Sequence, residues 1–318
     1  MPDPHPGPDD SGALTPPVLL RAALDLSARL LTLDATARRV RRREDVEAIH
    51  DFRVAARRLN AALDLWAPLL ESDTATRVRR RVRRMRRDLS DARDLEVLAA
   101  GYRDRLARSA PEARVVLEQR IAKLERRRER AARRAPRVVA SARLLEVRRG
   151  LLRAVRKAAA ATAPGSATDL ARDHVAARRE RALQALREAW ERRDDASLHE
   201  ARIRIKAWRY ARELADEAAA LTGVPVSWGA ASAELGVSAA ELRIVQEALG
   251  TVQDLAVMAA DLARRARAAA RGDRPALAAT LDTILAEVAA EKQQAAEEAQ
   301  RRATTLSVVA VRGRTAGA

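Results

Sequence analysis

Two stretches of the 318-residue sequence place the same polar residue types at the same spacing. His50-Asp-Phe-Arg53-Val-Ala-Ala-Arg57-Arg58-Leu59-Asn60 aligns with His199-Glu-Ala-Arg202-Ile-Arg-Ile-Lys206-Ala207-Trp208-Arg209 at an offset of 149. Imidazole, guanidinium and ammonium groups all donate hydrogen bonds, and the cationic ones accept none. A surface built from them is satisfied by an anion. Arginine suits phosphate because its planar fork can bond two oxygens at once. Histidine adds a donor and, near pH ~6–7, a charge that phosphate stabilises. A single arginine on a helix flank is ordinarily solvated or paired with a carboxylate. The recurrence of the whole set is what points to a ligand.

At 100° per residue, His50, Arg53, Arg57 and Asn60 fall within a stripe of about 80°. The apolar set Val46, Ile49, Ala56, Leu59 and Leu63 centres roughly 100° away. The polar stripe therefore flanks the buried face and does not point straight into solvent. Two such helices facing each other would line a groove with His199, Arg202, Lys206 and Arg209 on the opposite side.

A second pair of motifs follows the first. Leu89-Ser-Asp-Ala-Arg-Asp94-Leu95-Glu-Val97-Leu98 matches Leu249-Gly-Thr-Val-Gln-Asp254-Leu255-Ala-Val257-Met258 at an offset of 160. Two motifs in the same order argue for duplicated halves. The longer second offset places about eleven extra residues in the second half, in the patch Gly223–Gly236. Arg77 to Arg87 holds eight arginines in eleven residues. Its Arg79, Arg83, Arg86 and Arg87 share one broad helical face. Arg83 aligns with Arg243 and Arg86 with Gln246, so these positions are candidate groove residues. The run Arg126–Arg134 reads as an outer face, His174 as a surface residue, and Trp66 and Trp208 as core. Asp94 and Asp254 read as structural, capping a helix after a break or orienting a groove arginine.

The elements that must position these residues are helices. Charged residues make up 33% of the chain and aromatics 2%, with alanine and leucine filling the apolar share, which leaves few strand formers. Helical apolar spacing runs almost throughout, with breaks expected at Ser90-Asp91, before Pro136, at Gly250–Asp254 and at Gly272–Pro275, and a last helix ending near Arg302. The reading is all-α: a tail over 1–15, a first helical bundle over 16–163, a second over 164–305 and a C-terminal tail over 306–318. The linker is the Pro/Gly-bearing segment 161–168.

At these residues the chain resembles the CHAD family, the conserved-histidine α-helical domains, over roughly residues 17–305. The resemblance implies two four-helix-type bundles related by pseudo-two-fold symmetry, with a basic groove that binds inorganic polyphosphate; with no catalytic motif in the sequence, no catalysis is expected. Together with the repeat and the arginine run, it makes His50, Arg53, Arg57, Arg58, Arg79, Arg83, Arg86, His199, Arg202, Lys206, Arg209 and Arg243 the expected polyphosphate-binding residues. Asn60 stands where the family usually carries arginine, and Ala207 where a second basic residue is common. The Glu-x-Glu-x-Lys strand of an accompanying CYTH triphosphatase domain has no counterpart here.

Charge agrees with an anionic partner. Lys and Arg total 61 against 44 Asp and Glu, a net +17. Such an excess predicts a polyanion: nucleic acid, polyphosphate or an acidic membrane surface; the family resemblance puts polyphosphate first. Nucleic acid is the second reading, weakened by the scarcity of stacking aromatics; an accessory subunit of a phosphate-handling enzyme is a third. No apolar run approaches the ~18 residues of a membrane span, and the N-terminus lacks a signal's apolar core. A cytoplasmic protein, at polyphosphate deposits, is the expectation. The absence of cysteine removes disulfides and thiolate metal sites. No phosphate-binding glycine loop, no HExxH and no histidine spacing suited to zinc occurs, so neither metal nor cofactor is expected.

Overall fold

The computed structural model describes residues 17–43, 47–70, 72–159, 167–220 and 237–315. Among them are ten α-helices, one 3-10 turn (Ala67–Leu69) and no strand. The helices are α1 (Pro17–Arg42), α2 (Ala48–Leu65), α3 (Ser72–Asp88), α4 (Ser90–Ala107), α5 (Pro111–Val138), α6 (Ser141–Ala159), α7 (Ala167–Arg192), α8 (Asp195–Ala220), α9 (Ala239–Arg271) and α10 (Pro275–Thr315). The fold is all-α, as the apolar periodicity predicts. The expected N-terminal tail, most of the linker at 161–168 and the patch at 223–236 lie outside the described residues.

Local chemistry sets the ends. Pro17, Pro111 and Pro275 each open a helix, where the missing N–H costs nothing. At α9, Ser238 and Glu241 form a reciprocal capping box. Arg43 after α1 and Arg193 after α7 both turn left-handed, with φ of 56° and 53°.

Three boundaries differ from expectation. α5 passes through Pro136, because in the last turn of a helix the lost hydrogen bond is cheap and Ala135 is buried there. α9 has no break at Gly250–Asp254: Leu242, Val245, Leu249, Val252 and Ala256 form an unbroken buried stripe that holds it continuous. α10 runs on to Thr315, well past Arg302 and into the expected C-terminal tail.

The helices bury two cores, and neither divides the chain at the linker. One joins α1, α2, α3 and α6 to α7, α8, the first half of α9 and the last part of α10. Phe52, Leu59 and Trp66 lie in it with Ile205 and Trp208, so both tryptophans are core residues as read. The other core pairs the α4–α5 hairpin with the α9–α10 hairpin: Tyr102, Leu117 and Leu124 against Leu262, Leu281 and Val288. Within it Asp261 of α9 takes two hydrogen bonds from Arg120 of α5, at 2.9 and 2.7 Å, and one from Tyr102 of α4 at 2.9 Å. Each half thus completes the other's interior, which brings α2 against α8 and α4 against α9.

A cationic trough between the two histidine helices

Where α2 faces α8, a cavity of about 790 Å3 opens, bounded also by α3, α4, α7 and α9. His50 and His199, from opposite halves, both line it. So do Arg53, Arg57, Arg83, Arg86, Arg202 and Lys206. With Arg93 and Arg178, seven arginines and Lys206 meet three carboxylates, Asp64, Asp94 and Asp254.

The pairing of these groups leaves donors over. Arg53 reaches Asp94 only at 3.9 Å. Its Nη1, and Nε of the equivalent Arg202, are buried atoms with no hydrogen-bond partner among the described residues. Arg202 is packed beside Gly250, whose position would place a Cβ 3.6 Å from Nε. Arg57 donates to the Tyr210 hydroxyl at 2.9 Å. The Tyr210 ring in turn lies 4.5 Å from the Arg209 guanidinium carbon. His199 Nδ1 lies 2.8 Å from Gln253 Oε1 and donates to it, which turns Nε2 away from that contact. At the equivalent of Gln253 the first half has Arg93. Burial, and next the Arg93 charge, hold His50 below its ordinary pKa.

Burial, and after it the crowding of like charge, sets the trough's electrostatics. Lys206 is pushed down to about 7 by burial and by Arg57, Arg202, Arg209 and Arg86 around it. Burial among arginines also lowers Arg53, Arg86 and Arg178. Burial raises Asp254, opposed by Arg202. An anion entering this space would relieve the repulsion and supply the missing acceptors together.

Four expected residues do not line the cavity. Arg58 stands 100° around α2 from Arg57 and is exposed. Arg79 turns onto Asp64. Arg209 is held behind Tyr210 by Glu213 and by Gln246 at 3.0 Å. Arg243 is exposed beside Glu247 at 3.7 Å, because Glu213, the counterpart of Asp64, is already engaged by Arg209. In the first half Asp64 gathers Arg79, Arg83 (3.6 Å) and Arg178 (3.3 Å).

Sequence reasoning misses Arg93, Arg178 and His174. His174 is not a surface residue: it lines the trough, and burial with Arg178 close by drives its pKa down to about 4, so it is neutral. The i,i+4 spacing of His174 and Arg178 was the available signal, but only the packing of α7 on α8 gives it a direction. Asp94 does approach a groove arginine, the second of the two roles open to it.

No curated protein matches the chain. Among solved structures it is similar to PptA from Streptomyces chartreusis, with a TM-score of 0.65, 22% identity, and coverage of 90% of this chain and 99% of that one. It is also similar to the CHAD domain from the plant Ricinus communis, with a TM-score of 0.61, 23% identity, and coverage of 90% and 96%. At these identities the likeness speaks for the fold. The sequence profile described as CHAD domain matches residues 24–226, a span that takes in both histidine helices and most of the chain between the trough's two walls. A chain with that match, folded so that its two histidines share one cationic cavity, belongs to the CHAD domain family.

Proposed function

We propose that the trough binds inorganic polyphosphate, without turnover, and that this binding targets the protein to polyphosphate deposits. The observation that carries the reading is the pair of equivalent arginines, Arg53 and Arg202, each with a buried nitrogen lacking an acceptor in a space where seven arginines and Lys206 face three carboxylates. Buried donors without partners are costly, and a chain of phosphates offers acceptors at short, regular intervals. The family supports a polyphosphate-related role.

Titration with polyphosphate across salt tests it. By analogy with nucleic acids, ~6–10 phosphate contacts cost about three to five decades of affinity between ~50 and ~200 mM salt. The His50→Ala/His199→Ala double variant is expected to bind at least ~10-fold more weakly. Unchanged affinity removes the trough assignment. Release of phosphate from the bound chain would contradict binding without turnover. Displacement by DNA at matched charge would favour a nucleic-acid ligand.

A further inference from the structure

The arginine run of α3 is only partly absorbed by the trough. Going around the helix at 100° per residue, Arg86, Arg83, Arg87, Arg80 and Arg84 follow one another in steps of about 20–60°. Val78, Val82 and Met85 hold the buried side. Arg86 and Arg83 line the trough, and Arg87, Arg80 and Arg84 stand exposed on the outside. The cationic surface therefore continues without a gap from the cavity over the back of the helix.

On some exposed faces arginines are paired along their own helices: Arg38 with Asp34, Arg204 with Glu200, Arg212 with Asp216, Arg302 with Glu298. The run Arg126, Arg127, Arg130, Arg133 and Arg134 on α5 is exposed without such pairs, as the α3 stripe is, but the α3 stripe runs on from Arg83 and Arg86, which line the trough. Arg80, Arg84 and Arg87 have no hydrogen bond or ion pair to any described residue. Arg80–Arg84 and Arg83–Arg87 are like-charge i,i+4 pairs, an arrangement that destabilises a helix. Beyond them α6 lies so close to α3 that a methyl on Gly150 would fall 2.5 Å from Val78, and the joint is closed by the pairs Arg81–Glu146 at 3.1 Å and Arg143–Asp88 at 3.6 Å. On α6 Arg149 and Arg153 are exposed as well.

We infer that the outer face of α3 is a second polyanion-binding surface, over which a polyphosphate chain too long for the trough continues after passing Arg83. The inference rests on the trough reading, and it adds chain-length discrimination to it. A short phosphate is held by the trough alone, whereas a long chain gains the contacts of α3.

The test compares tripolyphosphate with long-chain polyphosphate on the full chain. The R80Q/R84Q/R87Q variant keeps side-chain length and helix propensity. It is expected to lower long-chain affinity by about tenfold or more and to reduce the salt slope by about 2, at ~0.7 per lost contact. Tripolyphosphate affinity stays unchanged. A control, R114Q/R267Q/R271Q, removes the same charge from exposed positions on α5 and the far end of α9. Equal losses in the control, or an unaltered long-chain affinity in the α3 variant, overturn the proposal. Loss of duplex DNA binding with polyphosphate unaffected assigns the face to nucleic acid and overturns it too. If Arg53→Gln and Arg202→Gln leave tripolyphosphate binding intact, the trough reading fails, whatever the α3 variant does.

Discussion

Among the described residues, the first half is built from six helices and the second from four, yet both follow one path and each brings three helices to the trough. α1 corresponds to α7 and α2 to α8. α9 runs where α3 and α4 run, and α10 where α5 and α6 run: Ala135 and Val139 match Ala299 and Ala303 in the same core. The interruptions have local causes. The Ser90 hydroxyl bonds back to the Arg86 carbonyl at 3.4 Å, a contact that bends helices, and its counterpart Gly250 has no hydroxyl. Pro136 ends α5 two residues later, and α10 has no proline beyond its first position. The difference teaches that the shared feature is the placement of charge, not the continuity of backbone.

Charge is even traded between helices. The second half sets Arg209 on α8 against Gln246 on α9. The first half sets Asn60 on α2 and Arg86 on α3 at the matching places. Each half keeps one cation there and supplies it from a different element. Asn60 is buried and donates to the Ala56 carbonyl at 3.0 Å.

The sharpest way to break the equivalence is at Arg53 and Arg202. Charge-assisted hydrogen bonds contribute about 1.5–3 kcal/mol, so Arg53→Gln and Arg202→Gln should each weaken polyphosphate binding ~10–100-fold in titration calorimetry. A large loss at one and none at the other would show that a single half holds the ligand.

Lys206 comes next, because its counterpart Arg57 cannot lose its proton. In the empty trough Lys206 titrates at about 7, and bound phosphate raises that value. Binding between the two values takes up a proton. Affinity is therefore complete below pH 7 and falls as pH rises through it, by up to about one decade per unit. Lys206→Arg should flatten the profile. The unfolded chain holds this proton up to 10.5, so the empty protein should gain stability as pH rises from 7 toward that value. Melting curves across the range check this.

The charge trade predicts a coupling. Asn60→Arg puts a buried guanidinium beside Arg86 and should cost ~1–3 kcal/mol in denaturant unfolding. Adding Arg86→Gln should restore ~0.5 kcal/mol or more of that loss, the scale of interaction between residues in one network. Strict additivity would show that the two positions are independent. The smallest effect is Gly250→Ala. The new methyl meets Arg202 at an ordinary contact distance, and a helix-interior glycine costs about 0.5–1 kcal/mol against alanine. A matching gain in stability with little change in affinity is expected.

How much of this was legible follows from where each signal resides. The histidine helices could be read because the offset of 149 repeats a whole set of residue types, and helix periodicity fixes their side of the helix. The continuity of α9 could not be read: Gly250 and Thr251 look like a stop until Leu249 and Val252 are seen to be buried together. Arg93, Arg178 and His174 were invisible as groove residues because their direction depends on how α4 and α7 cross other helices. Arg209 and Arg243 were misplaced because a competing carboxylate, not helix register, decides where an arginine points.

The mingled interiors bear on how the molecule would respond to being cut. The Arg120–Asp261 bridge and the cluster of Tyr102, Leu117, Leu262 and Leu281 tie the two hairpins across the midpoint. A protease nick between α6 and α7 should therefore leave the two pieces clasped. Either fragment made alone would bare a greasy hairpin and aggregate, or pair with a second copy of itself.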